Sequence, residues 1–366
     1  MREECDAMPK KVIQKFEVKF LEILGENGTC DENIKPQISS KVLLEMYKWM
    51  FLGRVFDNKM FSLQRQGKLG TFAQTKGHEA VQIGAAFALK KEDWLVPYFR
   101  EQLITLIRDV PMENILMYYT GDERGQQYQK GWNVLPVCIP VATQLLHAVG
   151  MAWAFKLKKK KNVVLAFCGD GATSEGDFHE ALNFASVFKV PVVFLCQNNQ
   201  YAISVPLKKQ TASETLAQKA IAYGMSSLKI DGNDIFAVYK GVKEAVELAR
   251  KGKGPSFLEC LTYRVTDHTT SDDASRYRPI KEVKIWEARD PILRLRKYLE
   301  KKKLWNKKKE GILYQDVQKK VNTAVKKAEN VSAPSFEDMF RYTYKEMTAE
   351  LKEELDYLKK VKNDEK

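Results

Sequence analysis

The sequence predicts an open α/β fold of the doubly wound kind, with a mostly parallel sheet, an N-terminal arm and a helical C-terminal tail. Asn162–Cys168, Pro191–Cys196 and Pro255–Tyr263 are continuous apolar runs. Unbroken runs, as opposed to alternating ones, fit strands covered on both faces of a parallel sheet. Helix-period segments lie between these runs, which is the alternation of an α/β domain. After Arg278-Pro279 the chain turns helical, lysine-rich and acid-interleaved.

Taken in order, Phe16, Val18 and Phe20 alternate with charge, and Leu21–Leu24 leads to Asn27-Gly28, a hairpin signal. Ser39-Ser40 is a capping pair that opens a long amphipathic helix through Leu43, Leu44, Met46, Tyr47, Met50 and Phe51. Gly77 to Leu89 predicts a second helix, and Asp93–Tyr98 a short apolar run that ends at Phe99-Arg100. Between the first two long strands, Phe178, Ala181, Leu182, Ala185 and Phe188 form one helical stripe. A helix over Ser213–Tyr223, a strand ending at Asp231-Gly232 and a helix over Ile235–Arg250 continue the pattern. The expected organisation is an arm with a hairpin over 1–40, an α/β domain over 41–280, and a helical extension over 281–366.

Composition limits the function classes. The formal net charge is +13, but the lysines are spread through helical segments, interleaved with acids and not gathered around stacking aromatics. That is a solvated basic surface, suited to an acidic protein partner, and no nucleic-acid-binding signature accompanies it. No apolar stretch approaches the ~20 residues that span a bilayer. The start, Met1 to Asp6, lacks an apolar signal core, which reads as cytoplasmic. The cysteines show no C-x-x-C pair, and Cys168, Cys196 and Cys260 sit in apolar runs as expected of reduced, buried thiols. No Cys/His cluster has zinc-ligand spacing.

The chemistry-bearing segments are Gly169-Asp170-Gly171-Ala172-Thr173-Ser174-Glu175-Gly176 and Gln197-Asn198-Asn199-Gln200-Tyr201, each beginning where an apolar strand ends. If those strands are parallel neighbours, both segments open onto one crevice at the strands' carboxyl ends, where such sheets bind ligands. The residue types suit magnesium, a hard cation that takes about six oxygens, a few from protein and the rest from phosphate and water. Asp170 offers a carboxylate, Asn199 an amide oxygen, and a backbone carbonyl near Tyr201 a third ligand. Gly169 and Gly171 let the backbone approach closely, and the following helix points its N–H groups at a phosphate. Alone, Gly-Asp-Gly marks ordinary turns; the pairing of the two segments after successive strands is what makes it specific.

Gly169-Asp170-Gly171 followed after some twenty-six residues by Asn198-Asn199 resembles the thiamine-diphosphate motif. Over residues 15–345 the chain resembles the alpha subunits of bacterial pyruvate and branched-chain 2-oxoacid dehydrogenases. Arg65-Gln66-Gly67-Lys68-Leu69-Gly70, Gly77-His78-Glu79-Ala80, Gln197 to Ser204 and Tyr263 to Arg278 carry the likeness. The resemblance implies that Asp170, Asn199 and the Tyr201 carbonyl bind Mg2+, and that Arg100, Gly171, Ala172, Arg264 and His268 surround the diphosphate. Ile139 and Val141 would meet the aminopyrimidine through their backbone, and Ile203 would bend the cofactor into its V shape. His268, on the polar loop Asp267–Asp273, would also stabilise negative charge near the reacting carbonyl, whereas His78, His147 and His179 lie in helical contexts and are read as structural. Phe99 departs from the family's tyrosine before the arginine at this cofactor-binding position, and Gly121–Gln126 departs where relatives carry histidine or glycine.

The implied activity is oxidative decarboxylation of pyruvate with acyl transfer to a lipoyl group. A branched-chain 2-oxoacid or acetoin enzyme is the alternative, since Thr270-Ser271-Asp272-Asp273 resembles both groups, and a non-catalytic assembly paralogue is the distant one. One α/β unit carries cofactor motifs and no second unit supplies the activating glutamate. The resemblance therefore implies a separate beta subunit in an α2β2 heterotetramer, with a lipoyl-bearing acyltransferase core as the next partner.

Overall fold

The computed structural model describes residues 11–364, so the readings placed on Met1–Asp6, Cys5 included, lie outside the described residues. Six strands form one sheet: β1 (Phe20–Leu21), β2 (Trp94–Val96), β3 (Val164–Gly169), β4 (Val192–Asn198) and, after the short antiparallel ribbon β5 (Tyr201–Ala202) and β6 (Val205–Pro206), β7 (Ser226–Asp231) and β8 (Ser256–Leu261). The order is β1-β7-β8-β4-β3-β2 and every pairing in it is parallel.

The unbroken apolar runs resolve into two cores, one on each sheet face. Leu165, Phe167, Val193, Leu195 and Leu258 face one cluster. Their alternates Val164, Ala166, Cys168, Val192, Phe194, Cys196 and Phe257 face the other. Successive strand side chains point to opposite faces, so a strand buried on both sides reads as a nearly unbroken apolar run; buried Glu259 in β8 is an exception, accepting from Asn198 Nδ2 and the Ala217 amide. The first cluster is closed by α1 (Ser40–Arg65), α2 (Glu79–Ala88), α3 (Gln102–Ile107), α4 (Met112–Tyr119) and, from later in the chain, the helix over Ile235–Arg250. The second is closed by α5 (Thr143–Leu157) and α6 (Gly176–Phe188). The one-turn helix α7 (Leu207–Gln210) follows the ribbon, and α8 is the Ile235–Arg250 helix. Then α9 (Ile280–Ala288), α10 (Pro291–Lys301), α11 (Lys307–Glu329), α12 (Asp338–Arg341) and α13 (Ala349–Asp364) make the helical C-terminal region. Leu295, Leu299, Val317 and Val321 fold α10 and α11 back onto the first core. No helix among the described residues is long and apolar enough to cross a membrane.

Three local expectations change. The Asn27-Gly28 turn closes only a single antiparallel bridge, Leu24 to Cys30, not a strand hairpin. The Asp234 carboxylate takes the Ile23 and Leu24 amides at 2.6 Å each, and β1 pairs with β7 as the sheet's edge. The segment Ser213–Tyr223 is a 3-10 turn over Ala217–Tyr223 only. Its beginning is held open by Ser213 N–H donating to the Thr211 hydroxyl and by Ala217 N–H donating to Glu259, local bonds that compete with an α-helix. Finally, α2 starts at Glu79 with His78 as its N-cap, because Gly77 takes φ 99°, a value only glycine adopts without strain.

Candidate active site

Every long strand delivers its carboxyl end to the same side, and there a cavity of about 370 Å³ opens. Phe99, Arg100, Ile139, Val141, Asp170, Gly171, Ala172, Asn199, Tyr201, Ile203 and His268 line it together. The in-register pairing of Gly169 with Gln197 is what brings the two motif segments side by side. Arg264 lies immediately behind this lining, with its guanidinium directed at the carbonyls of Tyr201 and Ile203.

Asp170 is 1% exposed, and its Oδ2 accepts from Gln210 Nε2 at 2.7 Å. Burial raises its carboxyl pKa, opposed first by that Gln210 bond. A buried carboxylate answered mainly by a neutral amide is under-neutralised, which is what a hard cation would relieve. Asn199, 7% exposed, receives the Tyr201 amide on its Oδ1 at 3.2 Å. A Cβ at Gly171 would sit 2.8 Å from the Ala202 Cβ, so only glycine fits that turn. No group of three or more His, Cys, Asp or Glu able to hold a metal exists among the described residues. A cation here would therefore draw on Asp170, Asn199 and a carbonyl, with phosphate and water completing its shell. The residues present fit a magnesium diphosphate.

The cationic end is a cluster of Arg100, Arg264 and His268. Arg100 donates to the carbonyls of Gln74 at 2.7 Å and His268 at 3.0 Å. The Nη1 of Arg264 lies 3.2 Å from His268 Nδ1, and Nη2 of Arg100 lies 3.5 Å from the same nitrogen. Guanidinium groups only donate, so Nδ1 accepts and the ring proton of neutral His268 resides on Nε2. Burial, then the charges of Arg100 and Arg264, hold its pKa down to about 4. His268 is thus a neutral N–H donor at physiological pH. The Nε of Arg264 is buried without a partner.

The backbone around the cavity is strained. Ala142, Gln200 and Ile203 all take left-handed φ values, 70°, 70° and 53°. For a β-branched residue such as Ile203 this is a genuine outlier. Ile203 is also 57% exposed, an apolar side chain held out from the protein surface into the site.

Some lining residues were missed by the sequence. Glu101, 2% exposed, accepts from the Tyr98 amide at 2.7 Å and from Gln197 Nε2, and burial pushes its pKa up to about 7. His78, read as structural from its helical context, lines the cavity. A strand-end motif search has no signal for either, since both come from segments that reach the site through loops. His179 is the structural type: in α6, its Nδ1 lies 2.6 Å from the Tyr223 hydroxyl. Within the Gly121–Gln126 segment, Glu123–Gln126 is a 3-10 turn, and Gln126 Oε1 accepts from the Val137 amide at 3.1 Å. In the polar loop, Asp272 accepts from the His268 amide at 2.9 Å.

Residues 47–337 match the family described as dehydrogenase E1 component. The chain is 42% identical over 338 residues to the protein of Acholeplasma laidlawii named pyruvate dehydrogenase E1 component subunit alpha, covering 92% of this chain and 98% of that one. It is 39% identical over 353 residues to the protein of that name from Staphylococcus aureus (strain Mu50), covering 95% of each. Its counterpart in Staphylococcus epidermidis is 38% identical over the same length.

Proposed function

The chain belongs to the dehydrogenase E1 component family, and from that premise we propose that it is the alpha subunit of a pyruvate dehydrogenase that holds the magnesium diphosphate end of thiamine diphosphate. Family membership carries dependence on thiamine diphosphate and on a beta partner. The observation that carries the rest is the gathering of Asp170, Asn199, Arg100 and His268 around one cavity at the strands' carboxyl ends.

When bound, the cofactor supplies the electron sink for loss of carbon dioxide from a 2-oxo acid. Asp170, Asn199 and the Tyr201 carbonyl hold the cation, and Arg100, Arg264, Gly171 and Ala172 hold the diphosphate. Ile139 and Val141 would hold the pyrimidine through their backbone, and Ile203 would support it as an apolar wedge. His268 would offer its Nε2–H where negative charge develops at the reacting carbonyl, a donor held in place by Arg264 and Arg100 at Nδ1. Phe99 gives Arg100 a ring face, its centroid 5.4 Å from the guanidinium carbon, in place of a phosphate hydrogen bond. Pyruvate is favoured over a branched-chain acid by the names of the relatives. Acyl transfer to the lipoyl group of an acyltransferase core, the α2β2 arrangement and a cytoplasmic setting complete the reading.

The chain contributes one half of the cofactor's surroundings, so the test is reconstitution. The rigorously purified chain with thiamine diphosphate and magnesium should release no labelled carbon dioxide from carboxyl-labelled pyruvate. Adding the beta chain should start release. Turnover by the chain alone, or silence from the assembled pair, would overturn the proposal.

A further inference from the structure

His78 is the N-cap residue of α2 and is fully buried, in the wall of the candidate active-site cavity. Its Nδ1 lies 3.1 Å from the Thr75 carbonyl oxygen. A carbonyl oxygen only accepts, so Nδ1 bears the ring hydrogen and Nε2 is a bare lone pair. That Nε2 is buried and has no partner in the protein. His268, whose Nδ1 accepts from Arg264, is the opposite tautomer.

We propose that His78 Nε2 holds a proton against the cofactor's diphosphate, so that cofactor binding by this chain takes up one proton from solvent. The inference rests on the thiamine diphosphate reading above. Diphosphate oxygens at neutral pH are acceptors, and an imidazole lone pair beside them is repulsive unless a hydrogen lies between. The groups around His78 make it responsive. Burial and then the charges of Arg100 and Arg264 hold the free ring neutral, with a pKa lowered to about 3. The carboxylates of the cavity lining are Glu101, Asp170 and Glu175, and its other titratable groups are His268, Cys168, Tyr98 and Tyr201; Asp57 accepts from the Thr75 amide at 2.8 Å. A diphosphate oxygen placed against Nε2 favours the protonated ring over the bare lone pair. The proton comes from solvent and is shared between Nε2 and a phosphate oxygen; no other bond changes.

Calorimetric titration of thiamine diphosphate with magnesium into the complex with its beta chain, in two buffers of different ionisation enthalpy between pH 7 and 8, counts the protons. The wild type should take up about one more proton than His78→Gln, whose amide donates without titrating. Its affinity should weaken by up to about tenfold per pH unit relative to that variant, the slope of one linked proton. His268→Gln should keep the wild-type count. Equal counts for wild type and His78→Gln overturn the inference and leave the thiamine diphosphate reading standing; no binding by the wild type overturns both. Should His78→Gln fail to fold, zero uptake by the wild type across this range is still decisive against it.

Discussion

Arg264 donates from Nη2 to the carbonyl oxygen of Ile203 at 2.6 Å, and so pins the one β-branched residue that sits in the left-handed region among the described residues. That conformation costs a non-glycine residue roughly 1–2 kcal/mol, so it persists only where surrounding bonds over-determine it. The same guanidinium reaches Tyr201 O at 3.3 Å, the Tyr277 hydroxyl at 2.8 Å and His268 Nδ1 at 3.2 Å. One buried arginine thus fixes the candidate apolar wedge, a candidate metal-ligand carbonyl and the candidate catalytic imidazole together.

Ile203→Asn should separate strain from function. Asparagine tolerates left-handed φ, and the isoleucine side chain is mostly exposed, so stability should rise by about 1 kcal/mol. Turnover with the beta chain should fall, because the apolar wedge is gone. Chemical denaturation reads the first and steady-state kinetics the second. A variant less stable than wild type would mean that the backbone there stores no strain.

Asp170→Asn should destroy magnesium-dependent cofactor binding, since a hard ion loses its only charged protein ligand. Asn199→Ala should weaken the same binding more mildly. Burial raises the Asp170 pKa in the fold, so the ionised carboxylate weighs against folding at neutral pH. Asp170→Asn should therefore raise the melting temperature of the metal-free protein. Wild-type calorimetric affinity in the variant would refute the metal assignment.

The sheet and the two motif segments were legible because a strand buried on both faces leaves an unbroken apolar run and ends in a recognisable turn. Gly169-Asp170 and Asn198-Asn199 needed only local sequence and the parallel-neighbour rule to be placed at one crevice. The edge strand Phe20–Leu21 was not legible, because its partner amides and Asp234 lie some two hundred residues away. Glu101 and His78 escaped for a related reason. Their chemistry comes from tertiary burial, and an Arg-Glu or Gly-His dipeptide in sequence says nothing about which lone pair will be left unmatched.

His268→Ala should lower turnover by about 10²–10³, the scale of deleting one oxyanion-type donor. The loop position leaves no core cavity, so stability should change by no more than about 1 kcal/mol. Its pKa of about 4 keeps the ring neutral from pH 5 upward, and Nε2–H is present in imidazole and imidazolium alike, so titration of His268 should not shape the rate profile above pH 5. A rate within twofold of wild type at saturating cofactor would end the catalytic role. Full recovery at high cofactor would reduce His268 to a binding residue.

Glu101 and His268 should tilt the stability–pH curve in opposite directions. Burial raises Glu101 from 4.5 to about 7 in the fold. Between those values the folded chain keeps a proton that the unfolded chain has released, so this contribution is full below about pH 4.5 and is lost as pH rises through 7. His268 is lowered from 6.5 to about 4. Between those values the unfolded chain holds the extra proton, so its contribution is full above about pH 6.5 and is lost as pH falls through 4. Against wild type, Glu101→Gln should therefore gain stability from pH 5 to 7, part of a difference on the order of 3 kcal/mol across the whole titration. His268→Gln should lose relative stability over the same interval. Urea unfolding at four or five pH values measures both slopes. Parallel curves for Glu101→Gln and wild type would show that Glu101 stays ionised in the fold, its charge answered by Arg100.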